Sequence, residues 1–315
     1  MATVGPRTAL TIGNFDGVHI GHRALLSRAR AIAGAGGRVA ALVFFPHPLS
    51  ALDPSRAPAL LTTLEERTAL LRGAGADEVV HLPPTPETLE QSPEAFVRAV
   101  CGRYAPAAIV EGADFRFGKG RSGDMALLAE LGRELGFEAV AVPEQAFTLH
   151  DLSAAPASST LVRWLLDHGR VRDASAALGR PYAMVGTVVR GDQRGRLLNM
   201  RTANLDSPVL APGDGVYAGV AQLPDGSRWP AAVSVGTNPT FNGRTRRAEA
   251  HVIGWTGPPD PADEYGWPIR VEFHAWLRGQ IRFDGVEPLV RQMQDDLRRA
   301  LEVLSLPPAP AAVHA

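Results

Sequence analysis

The chain has 315 residues, 45% of them apolar, enough to bury a sizeable core and to divide into two domains. A formal net charge of −1 with 21% charged residues excludes the basic excess by which duplex binders neutralise phosphates, so small-molecule substrates and no nucleic-acid partner are expected. The single cysteine, Cys101, excludes an internal disulfide and a cysteine metal site, and the absence of a basic leader or of an apolar run near the roughly 18 residues that cross a bilayer points to a cytoplasmic protein off the membrane.

In chain order, short apolar runs at 9–12, 39–45, 78–82, 107–110 and 138–142 alternate with amphipathic stretches up to about Gly179. Strand and helix in alternation predict parallel βαβ units, an α/β domain over residues 1–179. Leu25, Leu26, Ala29, Ile32 and Ala33 recur at helical spacing before Gly34. Thr63 with Glu66 forms a capping box, and Ser92 with Pro93 opens a further helix.

Where the first strand meets the first helix stands Gly13-Asn14-Phe15-Asp16-Gly17-Val18-His19-Ile20-Gly21-His22. A strand-to-helix turn is the place for a phosphate, because the first backbone N–H groups of a helix lack intrahelical partners and the dipole favours an anion. His19 and His22 can face one phosphate from that turn, with Gly21 allowing close approach of the backbone. Such a pair can stabilise charge on a transferring phosphoryl group without a covalent nucleophile. The bland alternative is a tight glycine turn whose histidines cap a helix.

The fourth strand runs into Glu111-Gly112-Ala113-Asp114-Phe115-Arg116-Phe117-Gly118-Lys119-Gly120, closed by Arg121. Aromatics beside glycine can line a pocket for a flat ring, and ordinary packing is the competing reading of Phe115 and Phe117. Phe45-Pro46-His47-Pro48 follows the second strand, where His47 is either a site residue or a surface turn. Late in the domain, Ser158-Ser159-Thr160-Leu161-Val162-Arg163 places hydroxyls at a helix start with Arg163 one turn on, suited to two further phosphates. Residues 171–178 read as a connecting helix.

After Gly179 the pattern changes to alternation, as in Val271, Phe273, Ala275 and Leu277, with a Pro224-Asp225-Gly226 turn. This predicts an antiparallel β-barrel over 180–306 with a last helix at 287–303, packed through Leu289, Met293, Leu297 and Leu301, and a disordered tail at 307–315.

Gly-x-Phe-Asp-Gly-x-His-x-Gly-His, matched at every fixed position, resembles the adenylyl-transfer signature of the bifunctional riboflavin kinase and FAD synthetase family. Ser159-Thr160 with Arg163, and Gly112-x-Asp114-Phe115-x-Phe117-Gly118, are similar to two further segments of that family. The tetrapeptide His-Ile-Gly-His is also that of class I aminoacyl-tRNA synthetases, but a chain whose one lysine is Lys119 has no Lys-Met-Ser-Lys-Ser loop.

The resemblance implies a Rossmann-like nucleotidyltransferase domain followed by a riboflavin-kinase-like barrel. It implies ATP and FMN as substrates of the first and FAD as its product, with Gly13, Asn14, Phe15, Asp16, Gly21, Ser158, Ser159, Thr160 and Arg163 at the nucleotide. His47, Asp114, Phe115 and Phe117 would stand at the flavin.

The second half resembles the same family through Gly191, Arg194-Gly195-Arg196 and Thr202-Ala203-Asn204. Riboflavin and ATP are then substrates, Gly191 and Arg196 nucleotide residues, and Thr202 and Asn204 ligands of Mg²⁺, a hard cation suited to oxygen. Glu249, in Ala248-Glu249-Ala250-His251, corresponds to the base that takes the riboflavin hydroxyl proton. Where the family loop reads Gly-Phe-Pro before Thr-Ala-Asn, this chain has Asn199, Met200 and Arg201. The loss of a fixed φ and of a glycine leaves open a barrel that binds flavin without phosphorylating it. A different phosphate acceptor for the first domain is the remaining rival.

Overall fold

The computed structural model describes residues 7–191, 200–237, 246–257 and 265–305. Two compact units emerge, one of Met1–Ala146 with Pro156–Ser159 and one of Phe147–Ala155 with Thr160–Ala315.

The first unit is built on β1 (Thr8–Gly13), β2 (Arg38–Phe44), β3 (Glu78–Leu82), β4 (Ala108–Gly112) and β5 (Glu138–Val142). They form one parallel sheet in the order β3-β2-β1-β4-β5. Between them run α1 (Ile20–Ala33), the short α2 (Leu49–Leu52), α3 (Leu64–Gly73), the short α4 (Pro86–Leu89), α5 (Pro93–Tyr104) and α6 (Met125–Leu135).

Alternate residues of each strand feed opposite cores, which is why the strands read as continuous apolar runs. Ala9, Val39, Ala41, Val43 and Val110 pack with Leu25, Leu26 and Ala29 of α1 and Leu71 of α3. Leu10, Ile12, Ala40, Leu42 and Ile109 face Phe96, Val97 and Val100 of α5 and Leu128 and Leu131 of α6. Cys101 packs at the edge of this second cluster, and its burial pushes the thiol pKa up.

The helix starts behave as their sequences dictate. Thr63 accepts from the N–H of Glu66, Ser92 from that of Ala95, and Asp124 from that of Leu127.

A two-stranded sheet, β6 (Ala146–Thr148) with β7 (Ala154–Pro156), and two helices, α7 (Ser159–Asp167) and α8 (Val171–Leu178), precede the barrel. Its strands are β8 (Tyr182–Val189), β9 (Ala203–Asp206), β10 (Gly215–Gln222), β11 (Arg228–Gly236), β12 (Arg247–Val252) and β13 (Pro268–Arg278). They close in the order β10-β11-β12-β9-β8-β13, antiparallel throughout. Val271, Phe273, Ala275 and Leu277 are all buried, and 224–226 turn the β10–β11 hairpin.

The last helix, α9 (Val286–Ser305), docks on β10, β11 and β13. Arg278 holds it by a two-pronged ion pair to the buried Asp296. Its apolar stripe departs from expectation at one end, where Leu301 is 40% exposed and Ala300 is buried instead. Residues four apart drift by roughly 40° per step around a helix of 3.6 residues per turn, so a strict four-residue stripe rotates off the surface it began on. The tail expected to be disordered, 307–315, lies outside the described residues.

Candidate functional site

In the first unit the strand order reverses between β1 and β4, and the loops leaving their carboxyl ends flank the crevice where open α/β sheets bind ligands. The loop after β1 has a demanding backbone, with positive φ at Phe15 (50°), Gly17 (84°) and Val18 (44°). Two non-glycine residues hold that geometry because the surroundings determine it.

Phe15 is buried in the core, with its ring against Gly13 and edge-on to His22 at 5.0 Å. It supports the site from behind, where a nucleotide contact was expected of it. Asp16 is likewise buried, and its carboxylate accepts from the N–H groups of Leu61 and Thr62 and pairs with the equally buried Arg67 at 2.5 Å. Arg67 also donates to the Asn14 carbonyl at 2.9 Å and lies over the Phe45 ring. Asp16 thus shapes the loop by fastening it to the start of α3. Thr62 and Arg67 were not singled out in the sequence; a buried arginine amid an amphipathic helix carries no local signal.

The loop delivers His19 and His22 as a stacked pair, with ring centroids 3.6 Å apart and planes 25° apart. His19 stands at the N-cap of α1 and makes no capping hydrogen bond through its ring. A Cβ at Gly21 would come within 3.0 Å of the His19 ring, so this glycine gives the imidazole its place. No acidic residue occupies the first turn of α1, so its positive end is left for an anion.

Ser159, at the start of α7, donates from its hydroxyl to the Asp16 carbonyl at 2.6 Å, which joins the late hydroxyl segment to the histidine loop. Ser158 precedes it, partly buried; Thr160 and Arg163 follow within α7 on the side of the chain counted with the second unit.

Across the crevice Asp114 is exposed and folded back, its Oδ1 2.8 Å from where a Cβ on Gly112 would stand. Phe117 is buried and stacks on Phe115 at 5.3 Å within the core cluster of α5 and α6. The pair anchors its loop by packing, with Phe115 only partly buried. His47 accepts the Leu49 N–H on Nδ1 at 3.1 Å, a turn bond at the start of α2.

Glu111, one residue before the β4 loop, is buried and accepts from the Ile12 N–H at 2.5 Å. Desolvation raises its pKa well above the usual carboxylate value, outweighing the lowering by the bond from Ile12.

In the second unit a row of polar groups crosses three barrel strands, since Ser234, Glu249 and Asn204 are direct cross-strand neighbours. Thr202, two residues before Asn204, donates to Glu249 Oε2 at 3.3 Å. Gly191 lies flat against the Asn204 amide, which a Cβ there would strike. Asn204 is buried, and its Oδ1 has no hydrogen-bond partner among the described residues. A buried orphan oxygen beside a hydroxyl and a carboxylate is a donor set that fits a hard cation.

The ring of His251 bonds to the Arg201 carbonyl, and Gln280 donates to Ser234 at 3.2 Å; neither contact was foreseen. The Arg201 guanidinium lies beside Gly257, 3.3 Å from where a Cβ would stand. Arg196 and Asn199 lie outside the described residues.

Comparison with known proteins matches each unit to a family. The FAD synthetase family covers residues 2–155 and the riboflavin kinase family residues 178–304. The chain is 34% identical over 310 residues to the bifunctional riboflavin kinase/FMN adenylyltransferase of Escherichia coli (strain K12), covering 94% of this chain and 93% of that one. It is 30% identical over 305 residues to the protein of that name from Bacillus subtilis (strain 168), covering 95% and 93%. Among solved structures, a Streptococcus pneumoniae protein described as a macrolide-efflux protein superposes with a TM-score of 0.82 at 27% identity, covering 95% of each chain.

Proposed function

This chain belongs to the family of bifunctional riboflavin kinase/FMN adenylyltransferases, and on that premise we propose how its residues divide the work. The protein is an enzyme of FAD biosynthesis. The FAD synthetase part transfers the adenylyl group of ATP to FMN, giving FAD and pyrophosphate, and the barrel phosphorylates riboflavin with ATP, giving FMN. The two matches end at 155 and begin at 178, which supports a functional boundary near Gly179.

For adenylyl transfer, a phosphate oxygen of FMN attacks the α-phosphorus in line, and the bond to the β-phosphate oxygen breaks to release pyrophosphate. His19 and His22 stabilise the charge that accumulates on the α-phosphoryl oxygens, with the open N-terminus of α1 behind them. The observation that carries this assignment is their stacking at the start of a helix free of acidic first-turn residues. Asn14 faces the nucleotide, and Ser158, Ser159, Thr160 and Arg163 take the leaving pyrophosphate. Asp114 and His47 border the flavin.

For the kinase, Glu249 accepts the riboflavin hydroxyl proton as that oxygen attacks the γ-phosphorus and ADP departs. Thr202 and Asn204 would hold Mg²⁺, which when bound neutralises phosphate charge. The orphan Asn204 oxygen supports this reading. Gly191 and Arg196 border the nucleotide. Among the described residues no helix is long and apolar enough to cross a membrane.

Purified protein given Mg²⁺, ATP and either riboflavin or FMN, with products separated by HPLC, tests the whole reading. FAD from both is expected; riboflavin left untouched would strip the barrel of its kinase role.

A further inference from the structure

Strands β9 and β12 pair at three registers, Ala248 with Leu205, Glu249 with Asn204, and Ala250 with Ala203. One step further the ladder would set His251 against Thr202, but there backbone pairing stops and an imidazole takes over. His251 Nδ1 lies 2.7 Å from the Arg201 carbonyl oxygen. A carbonyl can only accept, so Nδ1 carries the proton and donates. Immediately after that carbonyl comes Thr202, whose hydroxyl reaches Glu249 Oε2 at 3.3 Å.

Glu249 and His251 sit two apart on one strand, so their side chains leave the same face. They grip adjacent residues of the facing segment, one through a side-chain hydroxyl and the other through the preceding carbonyl. Arg201 is an exposed residue without a ring to fix its φ, and its guanidinium lies beside Gly257. Its carbonyl is therefore the handle by which the segment entering β9 is held.

We propose that His251 is a positioning residue of the kinase site, whose Nδ1–H holds the Arg201 carbonyl and so keeps Thr202 and Asn204 in register with Glu249. The inference rests on the barrel's being the riboflavin kinase. His251 touches neither substrate in this role and exchanges no proton; its Nδ1–H donates to the carbonyl in the neutral imidazole and in the imidazolium alike. Phosphoryl transfer depends on placement more than on covalent help, so a loosened carbonyl lowers turnover through Thr202 and Asn204.

The test compares His251→Ala and His251→Asn with the parent in the full-length chain. The Asn amide can place an N–H near the position of Nδ1 but cannot serve as an acid or base. Riboflavin phosphorylation is read as kcat and KM, and FAD formation from FMN serves as a control within the same molecule.

His251→Ala is expected to lower kinase kcat/KM on the order of tenfold, the worth of one hydrogen bond, with FAD formation from FMN within about twofold of the parent. His251→Asn is expected to recover activity to within about threefold. Kinase constants unchanged in His251→Ala would overturn the proposal, as would an Asn variant no better than Ala. Should the Ala variant fail to fold, the Asn variant decides alone, near-parent activity supporting the clamp and a large loss refuting it. A parent that makes FAD from FMN but no FMN from riboflavin removes the kinase assignment and the proposal with it, an outcome distinct from variants that match an active parent.

Discussion

Two imidazoles stack 3.6 Å apart at the mouth of a helix, and the part each takes in the proposed transfer is separable by mutation. Replacing His22 with Ala is expected to cut the rate of FAD formation from FMN by about 10²–10³, the loss seen when one preorganised donor is removed from a charge-stabilising site. Riboflavin phosphorylation, assayed on the same sample, should stay within experimental error. Glu111 invites a different measurement. Burial raises its pKa in the folded state, so the native protein binds the proton more tightly than the unfolded chain does. The resulting stability is fully present below the unfolded carboxyl pKa and is lost as pH rises toward the folded value. Glu111→Gln keeps the oxygen that accepts from Ile12 and has no proton to lose. Its thermal midpoint should match the parent's in acid and exceed it increasingly as pH rises; a gap that shrinks with pH would contradict the burial argument.

Strand ends, helix starts and the segments between them carry the two proposed sites, and each site is tied down by a close local contact. In the first unit it is the Asp16–Arg67 pair, both partners nearly inaccessible to solvent. Asp16→Ala would remove the carboxylate that faces the buried Arg67 guanidinium, and should cost about 3–5 kcal/mol in denaturant unfolding of the first unit. In the barrel it is the contact of Gly191 with the Asn204 amide. A methyl group there must push Asn204 off its line with Glu249. Gly191→Ala is therefore expected to abolish most riboflavin phosphorylation while FAD formation from supplied FMN continues, as HPLC of the two half-reactions would show. The helix ends that frame these loops follow local rules. Thr63 and Ser92 cap where hydroxyl side chains precede apolar runs, and Gly34 and Gly179 end α1 and α8 with positive φ.

At the scale of the whole molecule, the two half-reactions share ATP and are joined by FMN, the product of one and the substrate of the other. Chelating divalent metal with EDTA should stop FAD formation from riboflavin, and excess Mg²⁺ should restore it. The order of the elements was legible because local physics writes it. Central parallel strands are apolar nearly throughout, barrel strands must alternate, and even the edge strands at 78–82 and 138–142 and the helix at 171–178 coincide with β3, β5 and α8. The histidine loop was legible as well, since a glycine-rich strand-to-helix turn can be recognised from adjacent residues alone.

What the chain's letters could not disclose are contacts between residues far apart in sequence. Arg67 lies 51 residues from Asp16, and Gln280 lies 46 from Ser234. Nor could they tell Phe15 and Phe117, which serve the core, from rings that meet a ligand. By itself the sequence determined the two architectures, the glycine-rich strand-to-helix turn with its two histidines, and the residue types able to do the chemistry. Only the tertiary structure decided which side chains face the crevice and which support it from behind. Burial and hydrogen bonding at a site depend on strands and helices brought together by folding, and no local pattern encodes their register.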